Sequence, residues 1–160
     1  MFKDITQYDK VIIVLDEYKL DSIPKEIGVL KNAKELVISM NNNDSWTIYP
    51  PQSAMEYWVN SPPFTTIPDE LLELGKLEKL SLIGLNIKTL PAGIYQLKNL
   101  EYLNLSFNKL NVTNELPKLK KMPKLNHVVL FGNNVNIEDI KKWRTQNPNI
   151  NIEVTNSETF

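Results

Sequence analysis

Few side chains in this sequence of 160 residues are suited to catalysis. The single histidine, His127, would have to be the base of any Ser-His-Asp or Cys-His arrangement, but the chain has no cysteine and no G-x-S-x-G nucleophile elbow. HExxH, CxxC and GxxxxGK[ST] motifs are also absent, so neither metal nor nucleotide chemistry is supported. We therefore expect a protein that is not an enzyme, with no catalytic residue, no metal site and no cofactor.

The charge of the chain is small overall and uneven along its length. The formal net charge of −1 gives no reason to expect nucleic acid as a partner. Residues 1–75 carry 6 Lys and Arg against 12 Asp and Glu, whereas residues 76–160 carry 12 against 7. This asymmetry fits either scattered, solvated faces or a charge dipole that orients a partner or favours head-to-tail association at low salt.

The chain has no segment that predicts membrane insertion or export. Its first residues, MFKDITQYDKV, lack the apolar core of a signal peptide, and no apolar run reaches the length of a membrane span. We therefore expect a cytoplasmic protein, although a signal peptide removed before this start would make it an exported one. The sequence leaves the oligomeric state open, with a monomer as the working expectation.

The elements that must position any functional side chain are set by a repeated leucine pattern. In the stretch 97–110, LKNLEYLNLSFNKL, leucines and Asn108 follow the form L-x-x-L-x-L-x-x-N-x-L. Matching the rest of the chain to Leu103 and Leu105 predicts strands near 11–15, 36–38, 80–82, 103–105, 128–130 and 150–154. Successive strands are about 22 to 25 residues apart, which is the period of a solenoid.

One interval, from Leu36 to Leu80, is twice as long as the others. Within it, Tyr57-Trp58-Val59 and the following Ile67-Pro68 align with Leu80-Ser81-Leu82 and the following Leu90-Pro91. We therefore predict a degenerate repeat with a seventh strand near 57–59. The alternative is that 42–66 is an inserted loop.

The segments between strands share a second pattern. Ile23-Pro24, Ile67-Pro68 and Leu90-Pro91 are each followed by apolar residues at every third position. This spacing is typical of short helical or 3₁₀ turns with proline at the first helical position.

These repeats resemble the leucine-rich repeats of about 23 residues found in Ras-suppressor-like, plant intracellular and many small bacterial proteins. The resemblance covers nearly the whole chain. It implies an α/β fold, a right-handed solenoid with about seven parallel strands on the concave face and short helical or 3₁₀ turns on the convex face. It also implies one domain over 1–160.

Polar ladders and caps complete the predicted solenoid. Asn41, Asn108 and Asn133 occupy the asparagine position, where their amides can satisfy buried backbone groups; Leu85 interrupts this ladder and Tyr18 replaces it at the start. A C-terminal cap over 136–160 is predicted from Asn136, a suitable N-cap for a helix that buries Ile137, Ile140 and Trp143.

The side chains that flank the core leucines of each strand should point to the concave face, the usual protein-binding face of such repeats. Aligning Ile13-Leu15 and Ile150-Ile152 with Leu103-Leu105 puts Ile12, Val14 and Asp16 on this face at one end and Asn149, Asn151 and Glu153 at the other. Aromatic and aliphatic residues are unusually common among these positions, which indicates a binding patch. The predicted partner-binding residues are Trp58, Tyr102 and Phe131 as anchors, Lys79, Glu35 and His127 as charged or polar neighbours, and Val37, Ile83 and Val129.

The sequence therefore predicts a non-enzymatic protein-protein interaction module that binds a protein or peptide across its concave sheet. Two alternatives stay open. One is an exported surface or envelope protein that recognises glycan or peptide, and the other is a structural scaffold without a single partner.

Overall fold

The protein is built around a parallel β-sheet. The computed structural model describes residues 5–40 and 66–154. Within these residues six strands pair in parallel in the order of the sequence. They are β1 (Lys10–Val14), β2 (Glu35–Ser39), β3 (Lys79–Ile83), β4 (Tyr102–Asn104), β5 (His127–Val129) and β6 (Asn151–Glu153).

Short helices connect the strands on the opposite side of the core. Those that lie wholly within residues 5–40 and 66–154 are three 3₁₀ helices, at Leu15–Tyr18, Lys25–Val29 and Ile94–Gln96, and three α-helices, α1 (Asp69–Leu72), α2 (Val112–Leu119) and α3 (Ile137–Gln146). None of these helices is long and apolar enough to cross a membrane. The alternation of a strand with a helical turn confirms the α/β solenoid predicted from the repeat.

Proline begins two of these turns. Pro24 and Pro68 adopt φ of −72° and −66° with extended ψ and directly precede the helices at Lys25 and Asp69. The sequence pattern predicts each proline as the first residue of its helix, whereas in the structure each proline is the residue just before the helix. Proline fits here because its fixed φ suits a helix start, where an N–H group would lack a partner in any case.

The core is a row of aliphatic side chains that crosses every strand. Strand pairing puts in line the core residues Val11, Leu36, Leu80, Leu103, Val128 and Ile152, all of them buried. A second row, two residues further along each strand, begins with Ile13, Ile38 and Leu82. Each repeat thus buries its apolar side against its neighbours.

The predicted register is wrong at both ends of the sheet. Leu36 pairs with Val11 and not with Ile13, and Val128 pairs with Ile152 and not with Ile150. Each end segment alternates three apolar residues, so a shift by two keeps the same side chains facing the core. Pattern alone does not distinguish these registers, and only the pairing of neighbouring strands decides between them.

Within residues 5–40 and 66–154 the sheet has six strands, where the sequence predicts about seven for the chain. The strand predicted at 57–59 lies outside the described residues. Leu36 of β2 is the direct neighbour of Leu80 of β3 in the hydrogen-bonded ladder, so no strand lies between them. This pairing fits the alternative interpretation of 42–66 as an insertion between adjacent repeats. The helical turn predicted after Ile67-Pro68 is confirmed. It is α1, and Ile67, Leu71 and Leu74 pack into the core.

Asn108 satisfies buried backbone groups of two consecutive turns. Its Oδ1 accepts hydrogen bonds from the N–H groups of Leu85 at 3.0 Å and Ile87 at 3.1 Å. Its Nδ2 donates to the carbonyls of Leu82 at 2.8 Å and Leu105 at 2.9 Å. One buried side chain therefore joins two repeats that the strands alone would connect only through β3 and β4.

Asn133 makes the equivalent link one repeat later, with Oδ1 accepting from Leu110 N at 3.1 Å and Nδ2 donating to Leu105 O at 2.9 Å. The ladder predicted at these two positions is confirmed, whereas Asn41 lies outside the described residues. At the start of the sheet, the corrected register assigns the ladder position to Asp16, and Tyr18 is half exposed.

A buried carboxylate serves the same purpose on the convex side. Glu115 of α2 accepts hydrogen bonds from Leu90 N at 3.0 Å and from Thr89 Oγ1 at 3.0 Å. Lys118, one turn later in the helix, lies 2.9 Å from the same carboxylate and donates to Leu90 O at 2.6 Å. The buried negative charge of Glu115 is thus paired with Lys118 and hydrogen-bonded. The sequence did not predict α2, since Pro117 lies inside it.

The C-terminal cap follows the sequence closely. Asn136 Oδ1 accepts from the N–H groups of Glu138 at 3.0 Å and Asp139 at 3.4 Å, as expected of an N-cap. Ile140 and Trp143 are buried against the last repeat. Ile137, predicted on the same face, is instead exposed.

We expect Asn108→Leu to lower the free energy of unfolding by about 1–3 kcal/mol, because the substitution leaves two backbone N–H groups buried without an acceptor. Leucine fits the space sterically, since Leu85 occupies the same position one repeat earlier and is fully buried. Urea denaturation measures the change. Asn114→Leu, at an exposed position of α2, is the control; an equal effect of both substitutions would contradict the buried role of Asn108.

Candidate functional site

The surface of the sheet that faces away from the helices is lined by rows of side chains, which we call the concave surface. The first row consists of Lys10, Glu35, Lys79, Tyr102, His127 and Asn151. The second row consists of Ile12, Val37, Ser81, Asn104, Val129 and Glu153. The third row begins with Val14, Ser39 and Ile83.

The structure brings four of the predicted residues into direct succession. Glu35, Lys79, Tyr102 and His127 are neighbours on adjacent strands of the first row. Because adjacent strands lie about 4.8 Å apart, these side chains form one continuous strip. The prediction of a shared row is therefore realised for these residues.

The predicted aliphatic residues are more dispersed. Val37 and Val129 share the second row but are separated by Ser81 and Asn104, and Ile83 stands in the third row. Val129 is only 5% exposed and offers little area to a partner.

The structure describes only one of the other two predicted anchors. Phe131 is half-buried beyond the end of β5, and its carbonyl accepts a hydrogen bond from Phe107 N at 2.6 Å. Trp58 lies outside the described residues.

Tyr102, His127 and Glu153 form a compact cluster on β4, β5 and β6. The rings of Tyr102 and His127 have centroids 5.2 Å apart and an interplanar angle of 51°. Glu153 Oε1 lies 2.7 Å from His127 Nε2, yet this nitrogen has no hydrogen-bond partner of suitable geometry among the described residues. The carboxylate therefore contacts the ring away from the N–H direction, and the contact is an ion pair when His127 is protonated.

Burial raises the pKa of the Tyr102 hydroxyl above its usual 10.0. A hydrogen bond with Asn104 acts in the opposite direction, and the negative charge of Glu153 raises the pKa further. The hydroxyl is therefore neutral at physiological pH and available as a hydrogen-bond donor or acceptor at the centre of the concave surface.

At the N-terminal end of the surface, the side chains that meet differ from those that the sequence predicted. Ile12 is 60% exposed and stands beside Val37 in the second row. Lys10, in the first row, forms an ion pair of 2.8 Å with Glu35. The predicted register placed Ile12 in the first row and did not include Lys10, so it missed both contacts. Only the pairing of β1 with β2 places these side chains together.

Within residues 5–40 and 66–154, no group of three or more His, Asp or Glu side chains is arranged to hold a metal ion. The rows of the concave surface combine charged, aromatic, aliphatic and hydrogen-bonding side chains.

Known proteins resemble this chain both in sequence and in structure. A probable disease resistance protein of Arabidopsis thaliana is 35% identical over 74 residues, which are 46% of this chain and 8% of that protein. The solved structure of a leucine-rich repeat protein of Leptospira interrogans is 27% identical, with a TM-score of 0.52 over 82% of this chain and 33% of that chain. The chain thus spans only a small part of either protein's length. No protein-family profile matches it.

Titration of the tyrosines should show the environment of Tyr102. Its pKa is raised in the folded state, so the stability it contributes is present below pH 10.0 and is lost as the pH rises through the folded-state value. We expect Tyr102→Phe to remove a component of tyrosinate absorbance from the last part of the titration, above pH 10.0. The variant should also lose less stability than the wild type above pH 10.0.

Tyr95→Phe, which alters an exposed tyrosine on the convex side, is the control and should leave that last component in place. Loss of the same component from both variants would show that Tyr102 is not in the buried, acidic environment described above.

Proposed function

Because the chain is a leucine-rich repeat protein, we propose that it is a non-enzymatic interaction module that binds a protein or peptide partner across its concave surface. The supporting observation is the strip on β2 to β5 formed by Glu35, Lys79, Tyr102 and His127. Within this strip the rings of Tyr102 and His127 are in contact, and Val37 and Ile83 add apolar side chains in the second and third rows.

The central anchor of the proposed interface is Tyr102. A tyrosine loses little side-chain entropy on binding and offers both a large apolar ring and a polar hydroxyl. Its ring already packs against His127, so its orientation is defined before the partner arrives. Such preorganisation lowers the entropic cost of association.

The charged neighbours give the interface its selectivity. Lys10 and Glu35 neutralise each other, as do His127 and Glu153 when the histidine is protonated. Lys79 forms no ion pair with another described residue, so it is the charge in this strip that a partner can complement. The cytoplasmic location and the monomeric state expected from the sequence remain predictions.

The proposal is tested by affinity capture from a native lysate followed by mass spectrometry. The concave variant carries Tyr102→Ala and Val37→Ser. A control variant carries the same two kinds of substitution on the convex side, Tyr95→Ala and Val29→Ser, which replace side chains that are 45% and 46% exposed. Circular dichroism and thermal melts establish that both variants are folded.

We expect a protein that is recovered by the wild type and the control variant and reduced about tenfold or more with the concave variant, the effect typical of removing a central aromatic anchor. Equal recovery by all three chains would contradict the concave surface as the binding face. A loss confined to the control variant would assign binding to the convex side.

A further inference from the structure

A second charged surface borders the concave surface at the edge where the strands begin. Strand register places Asn32, Lys76, Asn99 and Lys124 in one row across successive repeats, four residues before the core position of each strand. Lys98 directly precedes Asn99. Lys79 lies three residues after Lys76 and belongs to the first row of the concave surface. We call Lys76, Lys79, Lys98 and Lys124 the basic edge; all four are exposed.

Two of these lysines are held in place by uncharged partners. Lys76 Nζ donates to Asn32 Oδ1 at 2.9 Å, and Lys124 Nζ donates to Asn99 Oδ1 at 2.8 Å. Asn99 is itself fixed, because its Nδ2 donates to Gly75 O at 2.7 Å. An ammonium group has three N–H donors, so each lysine keeps donors for a ligand. An amide oxygen orients the ammonium without neutralising its charge.

The basic edge is not neutralised within the described part of the chain. The described ion pairs near it join Lys31 to Glu73 and Lys34 to Glu78, and none of its own four lysines takes part in one. The four ammonium groups of the edge are therefore without an ion-pair partner among the described residues, on a chain whose net charge is −1. Surface charge of this kind attracts a partner of opposite sign and orients it during association.

We propose that the basic edge binds an acidic segment of the protein partner whose apolar side chains occupy the concave surface. This inference rests on the proposed interaction function and adds the chemical character of the partner. The two surfaces are contiguous, because Lys79 belongs to both and stands beside Tyr102 in the first row.

The arrangement of charges favours an acidic peptide over a nucleic acid. A further row of side chains lies between the row that contains Lys76 and Asn99 and the first row of the concave surface. Glu78 and Glu101 occupy successive positions of this row. Glu78 is already paired with Lys34, but Glu101 has no ion pair among the described residues and would repel a phosphate backbone, which carries a charge on every nucleotide. A peptide can separate its carboxylates with neutral residues and so avoid Glu101. The basic edge also contains no arginine, the residue that best matches phosphate geometry.

The test uses fluorescence anisotropy with short labelled peptides. One peptide alternates glutamate with serine, the second has glutamine in place of each glutamate, and an oligouridylate of equal length represents nucleic acid. The edge variant carries Lys76→Gln, Lys98→Gln and Lys124→Gln. Glutamine can still donate to Asn32 and Asn99, so the fold should be kept, and thermal melts verify this.

A matched control separates the site from the overall charge. It carries Lys88→Gln, Lys109→Gln and Lys142→Gln, which remove the same number of charges from exposed lysines away from the basic edge. We expect the wild type and the control to bind the acidic peptide, and the edge variant to bind it about tenfold more weakly, as three exposed ion pairs would predict. Higher ionic strength should weaken the wild-type binding.

Several outcomes overturn the inference. They are equal binding by the edge and control variants, equal affinity for the glutamate and glutamine peptides, tighter binding of the oligouridylate, and no binding of the acidic peptide by the wild type. The concave variant Tyr102→Ala/Val37→Ser separates this inference from the proposed function. If partner capture depends on the concave surface but the edge variant binds like the control, only the inference about the acidic segment fails.

Discussion

The whole molecule depends on the fact that no repeat can bury its own apolar side. A single strand and its helical turn leave Leu103 and its equivalents exposed on one side, and only the next repeat covers them. Stacking places Leu36, Leu80, Leu103 and Val128 in one buried row, and the backbone hydrogen bonds of the parallel sheet fix their spacing. Because each repeat contacts only its neighbours, the strength of every junction matters to the whole chain.

Stacking creates a second requirement, since the turns after each strand carry backbone groups into the interior. The chain meets it in different ways along its length. Asn108 and Asn133 bind both N–H and carbonyl groups of adjacent turns, whereas Leu85 fills the same position with an apolar side chain. On the convex side, Glu115 and Lys118 bind Leu90 from the neighbouring repeat. Each of these polar side chains joins two repeats. The same hydrogen bonds therefore satisfy buried polar groups and hold adjacent repeats together.

The same regular stacking arranges the surface for recognition. Side chains that alternate with the core leucines are brought into straight rows, which puts Tyr102 against His127 and Lys79 beside Tyr102. A row outside the strands repeats this arrangement with Asn32, Lys76, Asn99 and Lys124, whose hydrogen bonds hold two ammonium groups at regular intervals. A strip of mixed charged and aromatic side chains and a basic edge therefore run side by side across the same strands. This pairing of anchors with oriented charge is what the proposed binding function requires.

The sequence by itself determined the repeat period, the core positions of the inner strands, the asparagine ladder and the helix that begins after Asn136. These features are local or periodic, so residue type and spacing suffice to predict them. Tertiary structure alone decided the two-residue shifts at β1 and β6, because either register buries equivalent side chains and only the neighbouring strand selects one. It also decided the direct pairing of β2 with β3, which the aromatic match at 57–59 had concealed. The contact of His127 with Glu153 and the raised pKa of Tyr102 depend on residues brought together from three strands, so no local pattern encodes them.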